Sequence, residues 1–272
     1  MKDNNNKPDT KELFSSAYEY YAKYRPGIPE EVINIIVKHF DIKLNDRILD
    51  LGCGTGQVAL AMEGKCGEMV CLDSDPEMLK QAQKATKNSQ MKLTWINRGS
   101  QDLEKVKENL GIFKIATICR AFHWMNQRQV LEDLDGLIDE NGGIVIFGDG
   151  SFWTSQEEWQ QAIKRVVQKY LGEERRAGTG TFKQSDEPWE KIVAHSVFKF
   201  VETQQVPIVR NWNIGGIIGY LFSTSFAAPD LFGDQVDAFK RNIEEVLLTI
   251  DPKGIFQENA VFSIILASKK NR

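Results

Sequence analysis

The sequence predicts a doubly wound α/β fold with a seven-stranded, mostly parallel sheet, and two patterns support this prediction. Short apolar runs alternate with helical segments between residues 47 and 147. Two more apolar runs follow towards the carboxyl terminus, with a helical stretch between them. Strand–helix–strand alternation favours parallel strands joined by right-handed crossovers, because each helix must pack back onto the sheet. The predicted strands are Arg47–Leu51, Met69–Leu72, Leu93–Ile96, Ile115–Cys119, Ile144–Phe147, Val197–Val206 and Ala260–Ala267.

Helix signals lie between the predicted strands. The segments Ser74–Glu77 and Ser155–Glu158 match the capping box, in which a serine hydroxyl satisfies a free N–H of the first turn. Pro76 suits the first turn of one of these helices, and Gly172 is expected to end the other. Further helices are predicted over 11–24, from Pro29 onward, over Val130–Ile138 with an end at Asn141–Gly143, and over 234–250.

Composition excludes several classes of partner. The chain carries 34 Lys and Arg against 38 Asp and Glu, a net charge of −4, so it has no global electrostatic attraction to nucleic acid or to an anionic membrane. Its four cysteines and three histidines show neither metal-ligand spacing nor a disulfide framework. The polar amino terminus lacks a signal sequence, and no apolar run approaches the ~20 residues that span a bilayer. We therefore expect a cytoplasmic protein that acts on a small molecule and holds no metal.

A glycine-rich turn directly follows the first predicted strand. It reads Asp50-Leu51-Gly52-Cys53-Gly54-Thr55-Gly56 and should lie at the carboxyl edge of the sheet, where doubly wound folds bind ligands. Glycine permits positive φ and close approach of a ligand to the backbone, and the next helix offers free N–H groups to a carboxylate or phosphate. The dinucleotide fingerprint G-x-G-x-x-G fails, because its third glycine would fall at Gln57.

An acidic residue ends the second predicted strand. Asp73 lies about 20 residues beyond the turn, the spacing at which a carboxylate accepts hydrogen bonds from ribose hydroxyls. Its alternative role is to cap the turn beside Ser74 and Asp75. Asp50 is open to two interpretations: it contacts an ammonium group of the ligand, or it organises the loop.

These two motifs resemble those of class I S-adenosylmethionine-dependent methyltransferases. Residues 48–57 are similar to the first motif of that family, and residues 71–79 are similar to the segment that carries its ribose-binding acid. The segments 21–29, 121–124 and 222–226 further resemble small-molecule methyltransferases of the trans-aconitate methyltransferase type. The family implies a Rossmann-like sheet of order 3-2-1-4-5-7-6 and S-adenosylmethionine as the cofactor.

The resemblance also implies which residues bind the cofactor. The third strand leads to the expected adenine contacts, but Ser100 stands where many relatives have an acid, so Gln101 or Asp102 is an alternative partner for adenine N6. Met78 either lines the adenine or packs in the core. The complete predicted set is Asp50, Gly52, Cys53, Gly54, Gly56, Asp73, Ser74, Met78, Ser100, Gln101 and Ala121.

The end of the fourth strand should lie near the transferred methyl group. His123 is the candidate catalytic residue, acting as a base or orienting an acceptor carboxylate; its alternative role is structural, in the site wall. Trp124 is expected to line the pocket, and Arg120 either pairs with an acidic substrate or faces solvent. The absence of an N-P-P-Y-type sequence here argues against the amide- and adenine-methylating relatives.

Aromatic residues before the sheet are candidates for a lid. In the subgroup that the chain resembles, this segment covers the cofactor, which would give roles to Tyr18, Tyr21 and Arg25. The alternative is a helix that packs its aromatic face on the domain. A single methyltransferase domain is expected over 11–272 after a disordered tail, 1–10. It would comprise helices and lid (11–42), cofactor-binding core (43–148), inserted cap (149–194), and closing strands and helix (195–272).

Three functions compete at this point. The first is methyl transfer to a small-molecule acceptor, for which a carboxylate is a candidate. The second is a regulatory protein that binds S-adenosylmethionine or S-adenosylhomocysteine without catalysis. The third is an NAD(P)-dependent oxidoreductase, which the missing third glycine disfavours.

Overall fold

The computed structural model describes residues 16–177, 180–182 and 187–271. In chain order its helices and strands are α1 (Tyr18–Tyr24), α2 (Glu30–Phe40), β1 (Arg47–Leu51), α3 (Gln57–Ala61), β2 (Glu68–Asp73), α4 (Pro76–Ala85), β3 (Lys92–Asn97), α5 (Leu103–Val106), β4 (Phe113–Cys119), α6 (Gln127–Asp135), β5 (Ile138–Asp149), α7 (Glu158–Leu171), β6 (Arg176–Ala177), β7 (Gly180–Thr181), α8 (Trp189–Ala194), β8 (Phe200–Asn213), α9 (Ile214–Phe222), α10 (Val236–Ile250) and β9 (Ile255–Ser268).

The main sheet has the strand order β3-β2-β1-β4-β5-β9-β8 in the described part of the chain. Because β8 and β9 are the sixth and seventh strands of this sheet along the chain, the predicted order 3-2-1-4-5-7-6 is confirmed. The strands β3, β2, β1, β4 and β5 pair in parallel. The ends of β1, β2 and β4, which carry the predicted site residues, therefore share one edge of the sheet.

The fifth strand begins six residues before its predicted start. The apolar stripe at 130–138 was expected to be one helix, but α6 ends at Asp135 with Gly136 as its C-cap. Ile138 already pairs with Phe113 of β4, and a register shift then brings Gly143 opposite Ile115. Strand pairing outcompetes the helical periodicity here, so the predicted end at Asn141–Gly143 is wrong.

Neither predicted capping box caps its helix. The N-cap of α4 is Asp75, whose carboxylate accepts from the N–H groups of Glu77 and Met78. Aspartate is as good a cap as serine and stands one residue nearer to the helix. At α7 the N-cap is Glu157, without a side-chain cap bond. The predicted end of that helix at Gly172 is confirmed, with φ of 90°.

The closing part of the chain holds a helix that the sequence patterns did not predict. Helix α9 begins directly after β8, with Asn213 as the N-cap accepting from the N–H of Gly216. It is apolar on most faces, with Ile217, Tyr220 and Leu221 buried, so it lacks the polar stripe that identifies an amphipathic helix. Part of the helix predicted over 11–24 lies outside the described residues.

The chain divides into two compact units, and the long strands β8 and β9 each contribute to both. The first unit comprises residues 27–148, 187–206 and 262–271, and the second comprises 16–26, 149–177, 180–182 and 207–261. The core of the first unit packs the central strands against α6 and α8, with Leu49, Ile118 and Leu134 fully buried. The core of the second unit is rich in aromatic side chains from α7, α9 and α10. Across the ranges that the structure describes, no helix combines the length and apolar character needed to cross a membrane.

Candidate active site

The loop between β1 and α3 is held open by three glycines in left-handed conformation. Gly52, Gly54 and Gly56 have φ of 67°, 52° and 79°, values that cost other residues about 1–2 kcal/mol each. The N–H groups of Gly52 and Cys53 both donate to the carbonyl of Leu72 in β2, at 2.8 and 3.1 Å. The loop therefore turns sharply off the sheet edge, as the motif predicts.

Two of these glycines are also required by close packing. A Cβ atom on Gly52 would lie 2.6 Å from the Cβ of Ala121 at the end of β4. A Cβ atom on Gly56 would lie 3.1 Å from Ala82 Cβ and 3.2 Å from the ring of Trp95. The loop backbone therefore packs directly against the end of β4 on one side and against α4 and β3 on the other, which only glycine permits at these two positions.

Asp73 ties the glycine loop to the end of β2. Its Oδ2 accepts from the N–H of Gly54 at 2.8 Å, and its Oδ1 accepts from the N–H of Asp75 at 2.9 Å. The backbone N–H of Ser74 is a third donor to this carboxylate, and because a carboxylate offers about four acceptor positions, capacity remains for a ligand hydroxyl. Burial raises the pKa of Asp73 to about 6, against the opposing effect of these backbone hydrogen bonds.

Asp50 is fully buried in β1 directly before the loop. Its Oδ1 accepts from the hydroxyl of Thr117 at 2.7 Å, and the two residues are register partners in β1 and β4. Its Oδ2 has no hydrogen-bond partner among the described residues. Burial raises the pKa of Asp50 to about 7, Thr117 lowers it and the charge of Asp73 raises it. A buried acceptor without a donor is costly in the free protein and is a natural contact for a ligand cation.

The other predicted cofactor residues follow β2 and β3 or line the loop. Cys53 and Met78 are buried, and burial raises the pKa of the Cys53 thiol well above its usual value. Ser74 lies between Asp73 and the N-cap of α4. Ser100 and Gln101 form a 3₁₀ turn after β3.

Aromatic rings surround His123 after the end of β4. His123 lies in a 3₁₀ turn over Phe122–Trp124. The ring centroid of His123 is 4.6 Å from that of Trp124. It is 6.2 Å from that of Trp189, and the ring planes of His123 and Trp189 are 2° apart. Trp189 in turn meets Phe122 edge-on at 5.5 Å. His123 therefore sits on an aromatic wall within the first unit, where its orientation is fixed by ring packing.

Arg120 is in left-handed conformation, with φ of 55°. Its N–H donates to the carbonyl of Phe147, and its guanidinium donates to Oε1 of Gln57 at 2.8 Å and lies 5.4 Å from the ring centroid of Phe262. Such φ values cost about 1–2 kcal/mol in a residue with a Cβ. Through its guanidinium, Arg120 contacts Gln57, the first residue of α3, a partner that the sequence did not suggest.

The predicted lid residues lie in the second unit. Tyr18, Tyr21 and Arg25 are all half-buried. The guanidinium of Arg25 donates to the hydroxyl of Tyr220 at 3.3 Å and to the carbonyl of Ser223 at 3.4 Å. It also lies 5.0 Å from the ring of Tyr21.

Residues missed by sequence reasoning support this site from neighbouring strands. Thr117 bonds Asp50, and Trp95 packs under Gly56. Asn97 donates to the carbonyls of Asp73 and Ser74, both at 3.0 Å. The sequence placed these residues in or directly after the predicted third and fourth strands, but it did not give the register that brings Thr117 opposite Asp50.

Comparison with known proteins gives a consistent class. Residues 48–142 match a family model described as a methyltransferase domain. A Dictyostelium discoideum protein provisionally named a methyltransferase is 24% identical over 241 residues, which cover 86% of this chain and 84% of that protein. A Saccharomyces cerevisiae protein named probable S-adenosylmethionine-dependent methyltransferase CRG1 is 28% identical over 176 residues, which cover 60% of this chain and 57% of that protein.

Solved structures agree on the fold. A protein from Anaeromyxobacter dehalogenans, provisionally named a type II methyltransferase, superposes with a TM-score of 0.60 at 16% identity, over 90% of this chain and 97% of that one. A phosphoethanolamine N-methyltransferase of Haemonchus contortus gives 0.54 at 13% identity, over 97% and 60%.

The sheet order, the glycine loop after β1 and the acid after β2 together define the class I methyltransferase architecture. With the family match over residues 48–142, the prediction of a class I S-adenosylmethionine-dependent methyltransferase is confirmed, and S-adenosylmethionine is its cofactor. The narrower resemblance to trans-aconitate methyltransferase-type enzymes is not confirmed.

Proposed function

We propose that this methyltransferase acts on a small molecule and that the acceptor group is a carboxylate. The aromatic wall around His123 carries this proposal, because it offers a flat apolar surface and one polar ring at the strand end next to the glycine loop. A carboxylate is ionised at neutral pH and is a nucleophile without help from a base. The net charge of −4 adds no attraction to a nucleic acid substrate.

The residues present fit the cofactor. The unpartnered Oδ2 of Asp50 suits a cation such as the ammonium of a methionine group. The remaining acceptor capacity of Asp73 suits a ribose hydroxyl. Direct packing of Gly52 against Ala121 holds the backbone of the loop against the end of β4. When bound, S-adenosylmethionine supplies a methyl group on a sulfonium centre.

The roles proposed for the remaining residues follow from their neighbours. Cys53, Gly54 and Gly56 form the backbone of the loop. Met78, Ser74 and the turn at Ser100 and Gln101 are proposed to surround the adenosine. His123 is proposed to orient the acceptor carboxylate by a hydrogen bond, with Trp124 excluding water from the site. Arg120 is proposed to fix the position of α3 through its hydrogen bond to Gln57.

The acceptor class is tested by methyl transfer from labelled S-adenosylmethionine to panels of small carboxylic acids, amines and phenols. We expect labelled methyl esters from one or more acids and no product with their amides. His123→Gln should raise KM for the acid more than it lowers kcat. Transfer to amines or phenols alone would reject the carboxylate. His123 would be a base instead if kcat of the parent chain rises with a single ionisation at about pH 6–7 and His123→Gln loses both that ionisation and most of kcat.

The proposed role of Asp73 in binding the cofactor is tested separately, by measuring affinity for S-adenosylhomocysteine. Asp73→Ala should weaken S-adenosylhomocysteine binding in calorimetry at least tenfold, because the proposed ribose contact and the hydrogen bond to the N–H of Gly54 are both removed. Asp139→Ala removes an exposed carboxylate that accepts from the N–H of Asn141 and serves as the control. Equal affinities of the two variants would reject the proposed site.

The cytoplasm is the proposed location. Its support is that Cys53, Cys66, Cys71 and Cys119 are all free thiols, which suits a reducing compartment. Fractionation of cells that express the tagged chain checks this.

A further inference from the structure

The turn that carries Asp73 is held by hydrogen bonds on two sides. On one side the Asp73 carboxylate accepts from the N–H groups of Gly54 and Asp75, at 2.8 and 2.9 Å. On the other side the backbone carbonyls of Asp73 and Ser74 both accept from the side-chain amide of Asn97, each at 3.0 Å. Backbone donors therefore orient the carboxylate, while Asn97 fixes the backbone that carries it.

Asn97 reaches this turn because it is the last residue of β3, the edge strand next to β2. Asn97 and Asp73 are register partners at the ends of these two parallel strands. The short amide side chain therefore needs to cross only the gap between neighbouring strands, about 5 Å. Its NH2 group carries two hydrogens, one for each carbonyl oxygen, and only a donor can face two such acceptors.

The position of Asn97 suits a role in the site more than a role in folding stability. Asn97 is exposed, and hydrogen bonds made there replace bonds to water, so their net contribution to stability is small. Their effect is on local geometry, because a turn with two carbonyls bonded to one amide has its backbone path fixed. A binding residue needs support of this kind, since a displacement of about 0.5 Å is enough to spoil its contacts.

From this geometry we propose that Asn97 is a positioning residue of the cofactor site, which acts by fixing the turn that presents the Asp73 carboxylate to the ribose. The proposal rests on the role of Asp73 proposed above and gives Asn97 no contact with the cofactor. It also ranks two substitutions. A carboxylate at position 97 would set acceptor oxygens against two carbonyl oxygens, so Asn97→Asp should displace the turn more than Asn97→Ala does.

The test measures S-adenosylhomocysteine affinity by calorimetry at pH 8, where Asp73, with a pKa of about 6, is ionised. Asn97→Ala should weaken binding about threefold to tenfold, the range of one typical hydrogen bond, and Asn97→Asp should weaken it more. Both variants should keep the melting temperature of the parent chain within a few degrees. Asn88→Asp makes the same change at another exposed asparagine of the first unit and should leave the affinity unchanged.

A double-mutant cycle shows whether Asn97 acts through Asp73. If it does, Asn97→Ala weakens binding in the parent chain but has no further effect once Asp73 is replaced by alanine. Equal effects of Asn97→Ala in both backgrounds would overturn the proposal. A smaller loss in Asn97→Asp than in Asn97→Ala would also overturn it, because that order indicates a direct contact between the cofactor and the amide oxygen.

Two further results separate this proposal from its alternatives. A lowered melting temperature with unchanged affinity in the Asn97 variants would make Asn97 purely structural. Weakened binding in Asp73→Ala together with parent affinity in both Asn97 variants would reject the positioning role and leave the proposed cofactor site intact. Parent affinity in Asp73→Ala would reject the cofactor site itself, and the role of Asn97 with it.

Discussion

The two aspartates at the proposed cofactor site titrate far from their usual range. Burial raises the pKa of Asp50 to about 7 and that of Asp73 to about 6. A carboxyl group with a raised pKa in the folded chain keeps its proton there after the unfolded chain has released it near pH 4. These two groups therefore favour the folded state most below about pH 4, and this contribution falls as pH rises towards 6 and 7.

Cofactor affinity should show the reverse dependence on pH. An ammonium group next to Asp50 favours the ionised carboxylate, so S-adenosylhomocysteine binding should tighten as pH rises through about 6 to 7. Thr117→Val removes the hydrogen bond that lowers the pKa of Asp50 and should move this rise to higher pH. Calorimetry from pH 5 to 8 measures both profiles, with Glu132→Gln as an exposed control. Coinciding profiles of Thr117→Val and the parent chain would contradict the assignment.

A comparison of substitutions at Gly52 and Gly64 distinguishes the cost of backbone strain from the cost of a steric clash. Both have positive φ, 67° and 71°, but only Gly52 has a neighbour that a Cβ would meet. Gly64→Ala should lower the free energy of unfolding by about 1–2 kcal/mol, the cost of left-handed conformation. Gly52→Ala should lower it further and abolish S-adenosylhomocysteine binding, because its Cβ would lie 2.6 Å from Ala121. Urea unfolding and calorimetry provide the measurements, and equal effects of the two changes would reject the close approach.

At the scale of elements, helix ends were the least predictable features. The serine of a capping box and the aspartate beside it are both good caps, and only the backbone path after β2 selects between them. The N–H of Asp75 bonds Asp73, which leaves the Asp75 carboxylate facing the first turn of α4.

Substitution of the two candidate caps tests this choice. Asp75→Ala should lower the free energy of unfolding by about 0.5–2 kcal/mol, since the N–H groups of Glu77 and Met78 lose their acceptor. Ser74→Ala should cost less than about 0.5 kcal/mol. Chemical unfolding of both variants gives the comparison, and a larger loss in Ser74→Ala would restore the capping box.

At the scale of the whole molecule, strands far apart in sequence are joined by buried charge. Arg210 of β8 bonds Asp149 at the end of β5 at 2.5 Å and Glu258 of β9 at 3.4 Å. Glu258 also accepts from the indole of Trp212 at 2.8 Å and from the amide of Gln160 at 3.4 Å. This network lies within the second unit and satisfies two carboxylates that are 5% and 9% exposed.

Replacing Arg210 should strongly lower the stability of the folded protein. Arg210→Met would remove a cation that bonds both buried carboxylates and should lower the free energy of unfolding by about 3–5 kcal/mol. Lys270→Met breaks the surface pair with Glu140, whose side chains are 58% and 68% exposed, and should change it by less than about 0.5 kcal/mol. Thermal and urea unfolding measure the difference. Similar small losses in both variants would mean that water already solvates the network.

Local signals carried most of the fold and the core of the candidate site. The strands β1 to β4 alternate with helices, and each was found within two residues of its predicted ends. The glycine loop and Asp73 follow β1 and β2 directly, so their common position at the sheet edge needs only the parallel arrangement of neighbouring strands. Such features depend on interactions between residues close in sequence, and a single amino-acid sequence is enough to predict them.

The tertiary structure alone decided which distant residues meet. Thr117 faces Asp50 because β4 lies beside β1 in that register, and Arg25 reaches Tyr220 across 195 residues. The early start of β5 likewise depends on pairing with β4 rather than on its own helical periodicity. Contacts of this kind form when the gain from long-range packing exceeds the entropy of closing a long loop, a balance that no local pattern encodes.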